Sequence, residues 1–409
     1  MIVVYSILLT MGSWQKNSKV DRRLAMVRAV RQGEAMRAVA KRFTVSVGTV
    51  SRWVNHARGQ QLGRVDFTDQ KPGRAWNRTT MSQETQILRV RTDLRKNSVL
   101  GEYGAEAIIN ALTTAECPEV ISRATIYRVL GRRGALDAVR RRRRPAPPKG
   151  WYLPGLAGGK AELDSFDFIE DLKIADGPLV CLLTGISLHG GLADAWVMRQ
   201  RQTTSAIEAL LARWRASGLP DYAQFDNDTV FQGAHHHPDA VGRITRLCLA
   251  LGVIPVFAPP REPGLQNAIE GFNGLWQSKV WQRHHCPTVA ALRRISTAYI
   301  KAHRAKTAHR RDLGPARRPF PKNFVWNATS PLGGAMVFIR RSDEQGTVRL
   351  LARAYPVDKN WPHRLVRCEV DFTHQRIRFY ALRRREPDAQ PLLHEVTYCH
   401  PSMRKKVKK

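Results

Sequence analysis

Five consecutive arginines, Arg140 to Arg144, run straight into Pro-Ala-Pro-Pro-Lys at positions 145–149. Like charges repel and proline cannot continue a helix, so the stretch is extended and divides the chain. Before it, apolar residues recur at helical spacing; after it, they shift to strand alternation interrupted by helices. The sequence has 409 residues, room for two to four domains at roughly 150 residues each. Lys plus Arg number 67 against 34 Asp plus Glu, a net charge of +33. That balance argues against an enzyme of small neutral metabolites and for a polyanionic partner, of which nucleic acid is the commonest.

Six cysteines stand far apart with no C-x-x-C pair. This argues against a zinc ribbon or a disulfide-stapled fold and makes a reducing cytoplasm, with association to the nucleoid, the expected location. The opening MIVVYSILLT lacks a basic leader and a cleavage site and is too short to span a bilayer; Met11 is an alternative start. No later segment reaches the roughly 18 apolar residues a span needs, so no membrane partner is expected.

Residues 15–60 read as a helix-turn-helix DNA-binding domain. Ser46 is placed to cap a helix whose apolar positions are Val47, Val50, Val54 and Ala57. Thr49, Ser51, Arg52, Asn55 and His56 are left on the outer face, able to reach base edges and phosphates. A helix over 36–42 and a turn at 43–45 complete the motif. The plainer alternative is a helical hairpin with a polar surface; small Ala40, the turn and the Ser cap, all in register, favour the motif. Residues 80–136 read as a second helix-turn-helix or winged-helix-like module. In ISRATIYRVLGRRG, Ser122 is the cap and Ile126, Val129 and Leu130 the buried stripe, with Arg123, Arg128, Arg132 and Arg133 outward. A solvated helix packed on the next domain is the competing reading. The basic linker spans 137–158, where Arg140, Arg141, Arg142, Arg143 and Arg144 would grip phosphates without reading bases.

From 159 to 330 the pattern predicts α/β. Strands are expected near 162–170, 180–187, 192–198, 222–226 and 253–258, and helices at 203–217 and 240–251. Short turns make the first three strands an antiparallel meander; the last two alternate with helices and should run parallel. Residues 335–400 alternate with period two around a turn near Thr373–Gln375, which suggests a small β-barrel, followed by a basic tail at 401–409.

Three acids sit where strands end or a helix begins. Asp167 lies between Phe166 and Phe168, Asp226 closes the strand YAQFD, and Glu270 rides a helix whose stripe is Ile269, Phe272 and Trp276. Three oxygen donors without His or Cys suit a hard cation, Mg²⁺ or Mn²⁺, and two such ions can drive phosphoryl transfer. The His235–His237 run and His284, His285 and Cys286 read as solvated loops rather than metal sites.

Together these stretches resemble the DDE transposases of bacterial insertion sequences, the branch related to retroviral integrases. FDFIEDLKIADG is similar to that family's first strand and turn, QFDNDTVF to its D-N-G-x-x-F segment, and PGLQNAIEGFN to its P-G-x-x-N-x-x-E-x-F-N helix. The resemblance covers essentially the whole chain. It implies helical DNA-binding modules, an RNase H-like core over 159–330 and an SH3-like barrel over 335–400. It also implies Asp167, Asp226 and Glu270 as the triad holding two metal ions. Asp164 is a rival first acid; the A-D-G register and the flanking aromatics favour Asp167. Asp228 stands where the family has glycine, and Gly271 where it has a basic residue. Positions 227–269 form a longer spacing than usual, which the loop QGAHHHPDAVGR accounts for.

The implied activity is cleavage and strand transfer of double-stranded DNA, at element inverted repeats and at a target, by a dimer or tetramer on the DNA. The alternative is a catalytically silent DNA-binding protein derived from such an enzyme.

Overall fold

The computed structural model describes residues 14–69, 79–115, 121–137, 149–175, 177–234, 237–259, 262, 264–384 and 386–403. Arg140 to Arg144, His235, His236 and the tail beyond 403 lie outside the described residues. The chain divides into two compact units, one ending at Glu84 and one beginning at Thr85.

The first unit is three helices, α1 (Trp14–Arg31), α2 (Met36–Arg42) and α3 (Val47–His56). Thr44 takes a φ of 53° in the turn before α3, and Ser46 Oγ accepts the Thr49 N–H at 3.1 Å. The buried stripe is rotated from the expected one: Val47 is 43% exposed, whereas Val50, Trp53 and Ala57 are buried. Trp53 wins the inward position because its ring packs on Phe67, 5.9 Å away, and lies under the Arg23 guanidinium.

The division falls within α4 (Met81–Asn97), and the second unit continues with α5 (Ala105–Thr114) and α6 (Arg123–Arg132), the three packed around Ile87, Ile108, Ile126 and Val129. Ser122 caps α6 as Ser46 caps α3, accepting the Thr125 N–H at 3.2 Å. Among the described residues no strand, and so no wing, accompanies these three helices. The loop between α4 and α5 is tied to helices much later in the chain: Lys279 Nζ donates to Gly101 O at 3.1 Å, and Lys306 pairs with Glu102.

A short helix, α7 (Pro154–Ala157), leads into the sheet. Composition placed Trp151, Tyr152 and Leu153 in the linker, but all three are buried with Leu163 and Val256, because three large apolar side chains gain more from the core than from solvent. Then follow β1 (Leu163–Lys173), β2 (Leu179–Ser187), β3 (Ala193–Met198), α8 (Thr203–Ser217), β4 (Tyr222–Phe225), α9 (Thr229–Gln232), α10 (Arg243–Ala250) and β5 (Ile254–Phe257). Next come α11 (Asn267–Trp276), a π-helical turn, α12 (Val289–Lys306) and α13 (Ala308–Leu313). The meander is antiparallel and β4 and β5 run parallel, as the sequence pattern predicts. One face of the sheet buries Phe166, Trp214, Phe225 and Ile244 under α8 and α10. The other buries Leu182, Ile269, Phe272 and Leu292 under α11 and α12.

The C-terminal strands are β6 (Ala335–Arg341), β7 (Thr347–Leu350), β8 (Arg353–Pro356), β9 (Leu365–Asp371), β10 (Arg376–Ala381) and β11 (Leu392–Thr397). They do not form the separate SH3-like barrel expected over 335–400. β6 pairs in parallel with β5, and the sheet continues as β11-β10-β9-β6-β5-β4-β1-β2-β3, with β7 and β8 a ribbon beside it. The cause is visible in β6 itself: Met336, Val337, Phe338 and Ile339 are all buried, the signature of a strand covered on both faces inside a larger sheet.

Candidate functional site

The strand register builds the site. β1 and β4 pair in parallel with Asp164 opposite Ala223 and Ser165 opposite Gln224; carried three residues on, that register sets Asp167 beside Asp226. Phe166 and Phe225 stack at 5.6 Å on the α8 side, so alternation turns Asp167 toward the face covered by α11. There Asn273 Nδ2 donates to Asp167 Oδ2 at 2.8 Å, and the Thr184 hydroxyl donates to Asn273 Oδ1 at 2.7 Å. The second bond fixes which way the Asn273 amide points.

Burial, the negative charge of Asp226 and that of Glu270 together push the Asp167 carboxyl up to about 6, against the opposing Phe168 N–H and Asn273 amide. The Asp226 carboxyl is also raised, by burial and by the Asp228 carboxylate, despite the Asp228 N–H and the Arg201 charge. Among the described residues no Lys or Arg pairs with Asp167, and Arg201 spends its ion pairs on Asp228 and Glu170. Asp228 caps α9 by accepting the Val230 N–H at 2.7 Å. Glu270 lies in the first turn of α11 on an exposed face with Asn267, Gly271 and Gly274. A Cβ added at Gly271 or Gly274 would meet nothing within 4 Å. That face of the helix, with Glu270 on it, therefore stands open to solvent.

Asp164 is a different group altogether. It is fully buried on the α8 face, where Arg213 and Arg317 each donate two hydrogen bonds, at 2.7 to 3.0 Å, and Trp214 Nε1 a fifth at 3.0 Å. Burial alone would raise its carboxyl, but the two guanidiniums hold it well below the usual carboxylate range. A carboxylate so saturated has no lone pair left for an ion.

The donor set of Asp167, Asp226 and Glu270 is all oxygen, which fits Mg²⁺ or Mn²⁺. Mutual repulsion with no cation of the chain on Asp167 is also what a cation site requires. Among the described residues no three His, Cys, Asp or Glu groups already converge as a preformed cage.

Of the expected DNA contacts, Arg52 and Asn55 are exposed on α3, as are Arg123 and Arg128 on α6. Thr49 and Ser51 are half-buried, and the Thr49 hydroxyl is engaged with Ser46 at 2.9 Å. In the loop after α9, His237 is exposed, as expected of a solvated loop. Asp239 is buried, pairing with Arg353 at 2.6 Å and accepting the Tyr398 hydroxyl at 3.0 Å. Cys286 is buried as well, so it belongs to the core rather than a loop surface. All described cysteines are free thiols, and among the described residues no helix is long and apolar enough to cross a membrane.

Sequence reasoning missed Thr184, Asn273, Arg201 and Arg340. Asn273 carried a signal, a polar residue inside the apolar stripe of α11. Arg340 carried none. Its guanidinium, at the end of β6, donates to Asn227 Oδ1 at 2.9 Å and to Ile339 O at 2.9 Å, and burial pushes its pKa down to about 10.

Residues 17–62 match the family model of a homeodomain-like domain, so the first unit is a helix-turn-helix of that kind. No curated protein matches the sequence. Among solved structures, the chain is similar to a simian T-cell lymphotropic virus intasome in complex with the PP2A regulatory subunit B56 gamma. The TM-score is 0.32 at 13% identity, over 66% of this chain and 91% of that one. It is also similar to the HTLV-2 integrase catalytic core domain in complex with magnesium, with TM-score 0.26 and 14% identity over 34% of this chain and 81% of the other. The catalytic core domain of BIV integrase gives 0.24 and 20% over 33% and 81%.

Proposed function

We propose that this chain is a DDE-type polynucleotidyl transferase, a transposase or integrase-like recombinase with an RNase H-like core, acting on double-stranded DNA. What supports the reading is the parallel pairing of β1 with β4, whose continuation brings Asp167 level with Asp226, together with the charges of Asp226 and Glu270 that raise the Asp167 carboxyl. The strand order β3-β2-β1-β4-β5, an antiparallel meander followed by parallel strands, is the RNase H-like arrangement.

Asp167, Asp226 and Glu270 would hold Mg²⁺ or Mn²⁺, two ions in all. The bound metal would supply an activated attacking oxygen and stabilise the leaving one. The chain's own residues do the rest. Asn273, held by Thr184, orients the Asp167 carboxylate. The open helix face at Gly271 and Gly274 leaves room for the DNA strand beside Glu270. A water oxygen, then a DNA 3′-hydroxyl, forms the new P–O bond as the P–O bond to the leaving strand breaks. Arg52 and Asn55 on α3 and Arg123 and Arg128 on α6 would bind element ends, and Arg140 to Arg144 would add phosphate contacts without sequence preference. A dimer or tetramer on DNA would bring two ends together.

The test is to incubate the full chain with end-labelled duplex carrying the inverted repeats that flank its own gene. Nicked and joined products in Mg²⁺, absent with a chelator, are expected; intact DNA at every metal concentration would overturn the reading. A second reading is a DNA-binding protein without catalysis, for which the homeodomain-like first unit would suffice. It predicts sequence-specific binding with no cleavage under the same conditions.

A further inference from the structure

The C-terminal strands place arginines along the same sheet edge as the acids. β5 pairs with β6 in parallel, β6 with β9 and β9 with β10 in antiparallel fashion. β10 therefore ends at the edge where β4, β5 and β6 end. In register, Phe225 lies opposite Phe257 and Phe257 opposite Phe338, while Arg341 lies opposite Leu365 and Val366 opposite Ala381. Toward that edge, Asp226 lies one residue past Phe225, Arg340 two past Phe338, Arg364 one past Leu365 and Arg383 two past Ala381. Four strand steps separate β4 from β10, roughly 19 Å at about 4.8 Å each. One strand of duplex DNA presents a phosphate about every 3.4 Å of axis, so several fall within that span.

The guanidiniums on this edge are held rather than loose. Arg340 is fixed by Asn227 and lies over the Phe338 ring at 4.9 Å. Arg364 and Arg383 lie over the same buried ring of Trp361, at 4.6 and 5.5 Å from its centroid, and Trp361 is itself anchored by its Nε1–H on Leu365 O at 3.0 Å. Arg383 pairs with Glu386, but among the described residues neither Arg340 nor Arg364 has a carboxylate partner. Two cations sharing one ring repel each other unless an anion intervenes.

We propose that this edge is a phosphate-binding track for duplex DNA, with Arg340 contacting the phosphate nearest the acids and Arg364 one farther out. The proposal rests on the reading that the chain acts on DNA, but binding tests it without any cleavage. Fixed, preoriented guanidiniums suit phosphate oxygens, which accept paired N–H bonds.

The experiment uses the full chain and a random-sequence duplex, with binding isotherms at several salt concentrations for wild type, R340Q, R364Q and R364K. Each Gln variant should lower the slope of log affinity against log salt by up to about 0.9, the loss of one phosphate contact. R364K should restore the slope, and exposed Arg364 can be replaced without disturbing folding. In cleavage, R340Q should lower kcat, whereas R364Q should raise KM with kcat kept. Unchanged slopes in R340Q and R364Q, with both unfolding at the wild-type temperature, would overturn the track. So would variants that lose binding to poly-glutamate while keeping the DNA slope, which would mark a protein-docking face instead. Slopes that depend on Arg340 and Arg364 in a chain that never cuts would sustain the track and sink the catalytic reading; cutting with unchanged slopes would do the reverse.

Discussion

Asp164 and Asp167 stand three residues apart on β1, both shielded from solvent and both carboxylates, yet they live in opposite electrostatic regions. Asp164 faces α8 and is saturated by Arg213, Arg317 and Trp214. Asp167 faces α11, accepts the Asn273 amide and the Phe168 N–H, and otherwise meets the negative charges of Asp226 and Glu270. The odd offset between them puts them on opposite faces of the sheet, where strand alternation decides everything. A carboxylate that the chain has neutralised holds the fold together. One that the chain has left against its own charges is kept for a partner from outside.

The largest difference should appear in cleavage. D167N should lower it at least about 100-fold, because even outer groups around a metal cost 10–100-fold when lost. Single-turnover cutting of labelled duplex checks this, and near-wild-type cutting by D167N would erase the distinction between the two acids.

D164N should instead attack stability, by about 3–5 kcal/mol, the cost of breaking a buried ion pair from one side. Urea unfolding measures it. The pH dependence has the matching sign. Asp164 is depressed in the folded state, so its stabilisation is present above its ordinary value of roughly 4 and fades as pH falls below it. Asp167 is raised to about 6, so its folded form is favoured at low pH and loses stability as pH climbs through that value. D167N should therefore unfold later than wild type in metal-free buffer at pH 7.5.

A smaller effect belongs to Asn273. N273A should slow cleavage about 10–100-fold through a misaimed Asp167, while leaving DNA binding unchanged. Equal losses in binding and cutting would make it a structural residue only. Smallest of all, Gly274→Ala should stabilise α11 by about 1 kcal/mol, since alanine is the better helix former and its Cβ meets nothing. It should nonetheless slow cutting, because the methyl stands on the open helix face beside Glu270. A variant both more stable and equally active would remove the open helix face from the account.

Much of this was legible from side-chain periodicity. The flanking Phe166 and Phe168 told which way Asp167 turns, and the meander and the parallel pair followed from turn length. The Ser caps of α3 and α6 were readable because capping is local chemistry. What the sequence withheld was long-range. Nothing near Asp164 announces Arg213 and Arg317, which arrive from positions 49 and 153 residues away. The strand alternation over 366–381 gave each strand's inner face but not its neighbour, so the merger of β6 with β5 was hidden. Val47 turned outward and the unassigned Trp53 took the inner position because periodicity alone cannot weigh an indole against a valine.

The account's central claim is that Asp167, and not Asp164, belongs to a site for a divalent cation. Thermal unfolding of the full chain at pH 7.5, with and without excess Mg²⁺, tests it in wild type and D167N. A ligand that binds only the folded state raises its stability as concentration rises. Wild type should unfold at progressively higher temperature as Mg²⁺ is added, while D167N starts higher and stays where it is. An equal Mg²⁺ shift in both proteins would contradict the claim.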